Sequence, residues 1–99
     1  MFEIRTENYI AKIIVFNALN VYIKTKEAVA LYRKACKQSK TGKIVLDTID
    51  EIKLWNKVLY TYRCKPSEQK VYDAMSKHAA AVVFDIEDAE CLKWEMYAD

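Results

Sequence analysis

The stretch Phe2–Ile23, FEIRTENYIAKIIVFNALNVYI, decides the fold, because two periodicities compete in it. Phe2, Ile4 and Thr6 alternate with Glu3, Arg5 and Glu7, the period-two signature of a strand with one buried face. After Asn8 the run Tyr9–Phe16 is dominated by β-branched and aromatic residues, which strands favour, and Asn17 and Asn20 bracket a turn into Val21, Tyr22 and Ile23. Read this way, the stretch holds three short antiparallel strands. The competing reading is one long helix from Thr6, since Ile10, Ile13 and Ile14 also satisfy helical spacing.

Downstream the helical period is clearer. Thr25 is an N-cap for a helix that sets Ala28, Leu31, Tyr32, Ala35 and Ser39 on one side and Lys26, Arg33, Lys37 and Lys40 on the other. Gly42 supplies its stop, and Lys43 to Asp47 is a short apolar strand. Thr48 followed by Glu51 is a capping box, because each side chain can satisfy the other's free backbone N–H. It opens a helix with Ile52, Leu54, Trp55, Val58, Leu59 and Tyr62 on a broad apolar face. Pro66 ends that helix, and Ser67 caps another in which Val71, Ala74, Met75 and His78 share a stripe.

From Val82 the pattern reads as period two. Val82, Phe84 and Ile86 alternate with Val83, Asp85 and Glu87; beyond Asp88 and Ala89, Leu92, Trp94 and Met96 alternate with Lys93, Glu95 and Tyr97. This predicts a C-terminal β-hairpin with an apolar and an acidic face, in which Trp94 points inward and Glu95 outward. The expected fold is α+β: antiparallel strands at the N-terminus, three helices in the middle and the terminal hairpin, in one domain spanning residues 1–99.

Composition bounds the function. Ninety-nine residues at 53% hydrophobic content can bury one real core, and twelve per cent aromatic residues argue against disorder. The longest uncharged run, Ile13 to Ile23, is about half a membrane span and contains Asn17 and Asn20, so no membrane insertion is expected. The same run lacks a net basic leader and a small-residue cleavage pattern, which predicts a soluble, cytoplasmic protein. Cys36, Cys64 and Cys91 are odd in number and far apart, unlike a disulfide framework or a zinc site, and read as reduced thiols. One Gly and one Pro leave little loop from which to build a phosphate-cradling site.

Motifs of catalysis fail on inspection. Thr41-Gly42-Lys43 has the end of a phosphate-binding loop, but the earlier glycine is missing and Ile44 stands where a magnesium-binding hydroxyl belongs. His78, the single histidine, falls on the apolar stripe of its helix and reads as structural rather than as the base of a cysteine nucleophile. The C-terminal carboxylates face solvent in the expected hairpin, whereas a general acid needs desolvation. Spaced Asp and Asn ligands around a central glycine are absent. No catalytic residue, cofactor or metal is expected, and the chain reads as non-enzymatic.

Charge, in contrast, is sorted. Lys24, Lys26, Arg33, Lys34, Lys37, Lys40 and Lys43 stand against Glu27 alone, and from Asp85 onward Asp85, Glu87, Asp88, Glu90, Glu95 and Asp99 stand against Lys93. A net charge of +2 therefore hides a basic and an acidic block that a fold can present as two surfaces. The first expectation is an interaction protein, binding a protein partner or a second copy of itself through Asp85, Glu87, Glu95 and Tyr97. The alternative is a nucleic-acid-binding module. It would use Lys26, Arg33, Lys37 and Lys40 on one helix with Lys53, Lys57, Tyr60 and Arg63 on or near the next, where cations surround an aromatic platform.

Seven Tyr, abundant Lys and Ile, only Gln38 and Gln69, and almost no Gly or Pro give the whole chain a composition that resembles the small orphan accessory proteins of viruses, filamentous ones included, that infect thermophilic archaea. The resemblance implies an accessory protein that acts inside the host cell by binding. It also reopens the redox state of the cysteines, since intracellular proteins of hyperthermophiles can carry disulfides.

Overall fold

The computed structural model describes the backbone of residues 2–97 and the side chains of residues 2–90. In chain order the elements are β1 (Phe2–Arg5), α1 (Tyr9–Val21), α2 (Lys26–Gln38), β2 (Lys43–Leu46), α3 (Ile49–Thr61) and α4 (Gln69–Tyr97), with single 3-10 turns at Ser39–Thr41 and Pro66–Glu68. The protein is mostly helical, 75%, and among the described residues it has one two-stranded sheet. The expected α+β architecture is thus corrected: of the strands foreseen, only β1 and β2 form among the described residues, and the helices number four.

The two strands lie where expected, but they pair with each other, a pairing the sequence reading does not assign. β1 and β2 pair antiparallel with Phe2 opposite Leu46 and Ile4 opposite Ile44, and these four side chains are buried while Glu3, Arg5 and Lys43 face out. The outer edge of β2 is covered by α2, whose Gln38 Oε1 accepts the Val45 N–H at 2.7 Å. A left-handed Gly42 at φ 83° turns the chain from α2 into β2, and a Cβ there would stand 3.1 Å from Glu7 Cγ.

The run after Asn8 is a helix, not two strands. Asn8 Oδ1 accepts the Ile10 N–H at 2.9 Å, satisfying a donor that the first turn leaves free. Ala11, Ile14, Val15, Ala18 and Leu19 then fall on one face and are buried. That face meets a core built around Trp55, Leu59, Ile44 and Leu46. An extended Tyr9–Phe16 would have needed its own ladder partners, and the spacing of three and four residues buries the same side chains without any.

α2 begins at Thr25, whose hydroxyl accepts the Ala28 N–H at 3.1 Å, and buries Ala28, Leu31 and Ala35. The capping box of α3 is present, with Thr48 Oγ1 accepting the Glu51 N–H at 3.1 Å, and Ile52, Trp55, Val58 and Leu59 are buried. Before α4 the capping role falls to Glu68 rather than Ser67. Its carboxylate accepts the Lys65 N–H and the Tyr62 hydroxyl, each at 2.9 Å.

The largest correction is the C-terminal third. α4 runs unbroken for 29 residues, about 43 Å at 1.5 Å per residue, through the stretch where the alternation predicts a hairpin. Ala79 and Val83 are buried and Tyr72, Met75, Val82 and Ile86 half-buried against the core, a helical stripe of three- and four-residue steps. Phe84, expected inward with Val82 and Ile86, is 68% exposed. Ala74 and His78 also fall outside the stripe. The physical reason lies partly in Asp88-Ala89, which lacks the residue of positive φ that a tight hairpin turn requires. The inward parity expected for Leu92, Trp94 and Met96, and the outward one for Glu95, concern side chains outside the described residues.

Candidate functional site

The basic residues on α2 other than Lys34 share one exposed face. Lys26, Arg33 and Lys37 recur at steps of seven and four residues, and Lys40 follows in the 3-10 turn, all solvent-exposed. The second basic set is dispersed. Lys53 is tied to Glu90 of α4 at 3.2 Å, Lys57 and Tyr60 are exposed on α3, Tyr60 at 84%, and Arg63 lies past the end of the helix. Between α2 and α3 runs a groove of about 630 Å³, floored by Leu31 and Leu54 but lined by Glu27, Asp50 and Glu51 as well as Lys34 and Lys57. Carboxylates thus stand between the two basic sets.

Lys34 shows how the basic block is spent on structure. Its ammonium bridges Asp47 at 2.7 Å and Glu51 at 2.9 Å, with only 20% of the side chain exposed. Burial alone would lower its pKa, but the hydrogen bonds and negative charge of the two carboxylates outweigh that and hold it above the ordinary lysine value. Burial likewise works to raise the Glu51 carboxyl, and Lys34 with the N–H groups of Asp47 and Thr48 brings it below its usual value. Nothing in the spacing of Lys34 distinguishes it from Arg33 or Lys37; only its place on the inner flank of α2 does.

The acidic candidates keep their exposure but change their setting. Asp85 and Glu87 are solvent-exposed on α4, not on a hairpin, and Glu95 and Tyr97 have side chains outside the described residues. Helical spacing places Ala80, Ala81, Phe84, Glu87 and Asp88 along one outer face, all exposed. The result is an apolar ridge running into carboxylates. Sequence reading missed this ridge because it assigned Phe84 to the core.

Among the described residues His78 makes no hydrogen bond with Cys36 or Cys64, and the Cys91 side chain lies outside them. The His78 imidazole is solvent-exposed and stacks on Phe2, centroids 5.0 Å apart and planes 24° from parallel. Cys36 is exposed, and the half-buried Cys64 thiol donates to Gln69 Oε1 at 3.2 Å. Thr41-Gly42-Lys43 is a turn, in which the Gly42 N–H donates to Ser39 O at 3.2 Å. The polar pair at the start of α4 was not foreseen: Glu68, 6% exposed, receives the Lys65 N–H and the Tyr62 hydroxyl. The Lys65 N–H chiefly lowers its pKa, against the effect of burial, and the Tyr62 hydroxyl adds to the lowering. Burial and this carboxylate raise that of Tyr62. A glutamate two residues after proline is a recognisable signal for such a cap.

Among the described residues no group of acidic, histidine and cysteine side chains is placed to hold a metal ion, and no helix is long and apolar enough to cross a membrane. Comparison with protein families, with characterised proteins and with solved structures finds no match to this chain.

Proposed function

We propose that the protein is a non-enzymatic interaction protein, which binds a cationic protein partner and associates with copies of itself. The observation that carries this reading is Phe84, 68% exposed on α4 with Ala80 and Ala81 on one side and Glu87 and Asp88 on the other. An exposed aromatic side chain rimmed by like charges suits an anchor in a partner's pocket, with the carboxylates orienting a basic rim. An accessory role in the host cytoplasm, which the compositional resemblance implies, is the setting we propose for it.

The test is a comparison of baits. Wild type should retain a partner from cell extract that Phe84→Ala and the pair Glu87→Lys, Asp88→Lys lose, and added salt should elute it. Equal retention by all three removes the ridge from the reading. Light scattering across salt concentrations tests the self-association arm separately.

A second reading, nucleic-acid binding, draws on the α2 face, where Lys26, Arg33, Lys37 and Lys40 make no ion pair among the described residues. It expects binding to fall steeply with salt and Arg33→Ala with Lys37→Ala to weaken all sequences alike. No binding to DNA or RNA at about 50 mM salt, a permissive condition by counterion release, ends it.

A further inference from the structure

The two edges of the small sheet are not alike. β2 is closed on its outer side by Gln38, whereas β1 is not. The Thr6 N–H donates to Gly42 O at 2.9 Å, and in an antiparallel ladder hydrogen-bonded pairs alternate. With the register Phe2 to Leu46 and Ile4 to Ile44, it follows that Phe2, Ile4 and Thr6 direct their backbone groups at β2. Glu3 and Arg5 direct theirs outward. Among the described residues neither backbone N–H nor C=O of Glu3 or Arg5 has a hydrogen-bond partner on that side. Two open grooves of about 300 and 540 Å³ flank this edge, and Met75, Val82 and Ile86 of α4 give them apolar walls.

Such an edge is a template for another strand, and its charges specify which one. We propose that it takes the β1 strand of a second copy of this chain, antiparallel about a two-fold axis, giving a continuous sheet in the order β2, β1, β1, β2. This deepens the self-association arm of the proposed function and rests on it. The two-fold passes at Ile4. Glu3 then lies opposite Arg5 of the second copy and Arg5 opposite its Glu3, each pair exchanging both backbone hydrogen bonds. The side chains of these pairs share the exposed face of the sheet, with opposite charges directly across from one another.

The neighbouring registers fail on the same criterion. Sliding one way sets Glu3 against Glu3; sliding the other sets Arg5 against Arg5 and Glu3 against Glu7. Of these three arrangements only the central one is free of like-charge pairs, so the sequence of β1 is complementary to itself in one register. Within the monomer, Glu3 holds only a surface ion pair with Lys43 at 3.6 Å, which contributes little to folding, so the side chain can be changed without unfolding the chain.

The experiment uses charge reversal with rescue. Wild type should form a dimer by analytical ultracentrifugation in the micromolar to millimolar range. Glu3→Arg and Arg5→Glu should each weaken it by on the order of tenfold or more, because two symmetric pairs become repulsive. An equimolar mixture of the two variants should form a heterodimer, and the double variant Glu3→Arg, Arg5→Glu should recover the homodimer. A wild type that stays monomeric overturns the proposal and leaves the Phe84 ridge to be judged by its own test. A dimer indifferent to both reversals overturns the β1 edge while leaving self-association standing. Exchange of the Glu3 and Arg5 amides in wild type provides a readout that needs no variant. Protection should grow with protein concentration, and exchange as fast as in a free chain at every concentration overturns the proposal.

Discussion

The side chains at 83 and 84 separate the helical C-terminal third from a hairpin by a pair of alanine substitutions whose effects run against side-chain size. Val83 is 9% exposed and Phe84 68%. Truncating Val83 removes buried carbon worth about 1.5 kcal/mol at ~0.8 per methylene, and alanine returns up to ~0.6 through its better helix propensity, for a net loss of about 1 kcal/mol. Phe84→Ala gives up little burial and gains about 0.5 kcal/mol of propensity, so it should be neutral or slightly stabilising. In a strand with Val82 and Ile86 inward the order inverts, and Phe84→Ala would cost about 3–5 kcal/mol. Urea denaturation followed by far-UV circular dichroism at fixed protein concentration resolves this. At an m-value of about 1 kcal/mol per molar the Val83 variant should shift its midpoint down by about 1 M. A Phe84 variant that loses more than about 2 kcal/mol, beyond the effect expected of an exposed site, refutes the helical placement.

Asn8→Ala should cost about 1 kcal/mol, because the Ile10 N–H loses its cap, and no loss would argue that α1 does not begin there. Gly42→Ala should cost about 1–2 kcal/mol in chemical denaturation from the positive φ, and Glu7→Ala in that background should relieve only the part due to the 3.1 Å approach. The Lys34 bridge and the Glu68 cap give stability a defined pH window. Glu51 and Glu68 titrate below the usual glutamate value in the folded state, so their contribution is complete above about pH 4.3 and fades as pH falls through their folded values. Lys34 titrates above 10.5, so its contribution is complete below that pH and fades as pH rises through its folded value. Thermal melts of Glu51→Gln should show a flatter acid limb than wild type, and an unchanged limb would remove the bridge from the account.

The middle of the chain was legible because its signals are chemical rather than periodic. Thr25, Thr48 with Glu51, and Gly42 each name a backbone group that needs a partner or a φ that needs glycine, and all four residues do so in the structure. Where only periodicity was to hand, strand and helix gave overlapping patterns. In Val82–Ile86 the positions 82 and 86 satisfy both periods, and the deciding positions 83 and 84 are both apolar, so neither period fails. The same overlap at Ile10, Ile13 and Ile14 hid α1. The period-two pattern in Phe2–Thr6 was safe for a reason that can be stated: a second apolar segment, Lys43–Asp47, stood ready to pair with it. An extended segment without such a partner leaves its backbone unpaired, and a helix does not.

Interaction surfaces follow from the same physics. Sorted charge suggested two opposed faces, yet the fold ties Lys34 to Asp47 and Glu51 and Lys53 to Glu90, so part of each block is consumed in holding helices together. What remains free differs in kind from a charge count. The free basic face belongs to α2, the acidic one to the outer flank of α4 beside Phe84, and neither carries unpaired backbone among the described residues outside helix ends. β1 does. Its Glu3 and Arg5 carry no net charge between them and therefore vanish from any reading by charge blocks, but their order along a strand sets opposite charges across from one another in the proposed antiparallel pair. On the pairing proposed above, register rather than net charge specifies association, and a two-residue permutation that leaves composition untouched, Glu3→Arg with Arg5→Glu, should leave the dimer intact where either change alone disrupts it.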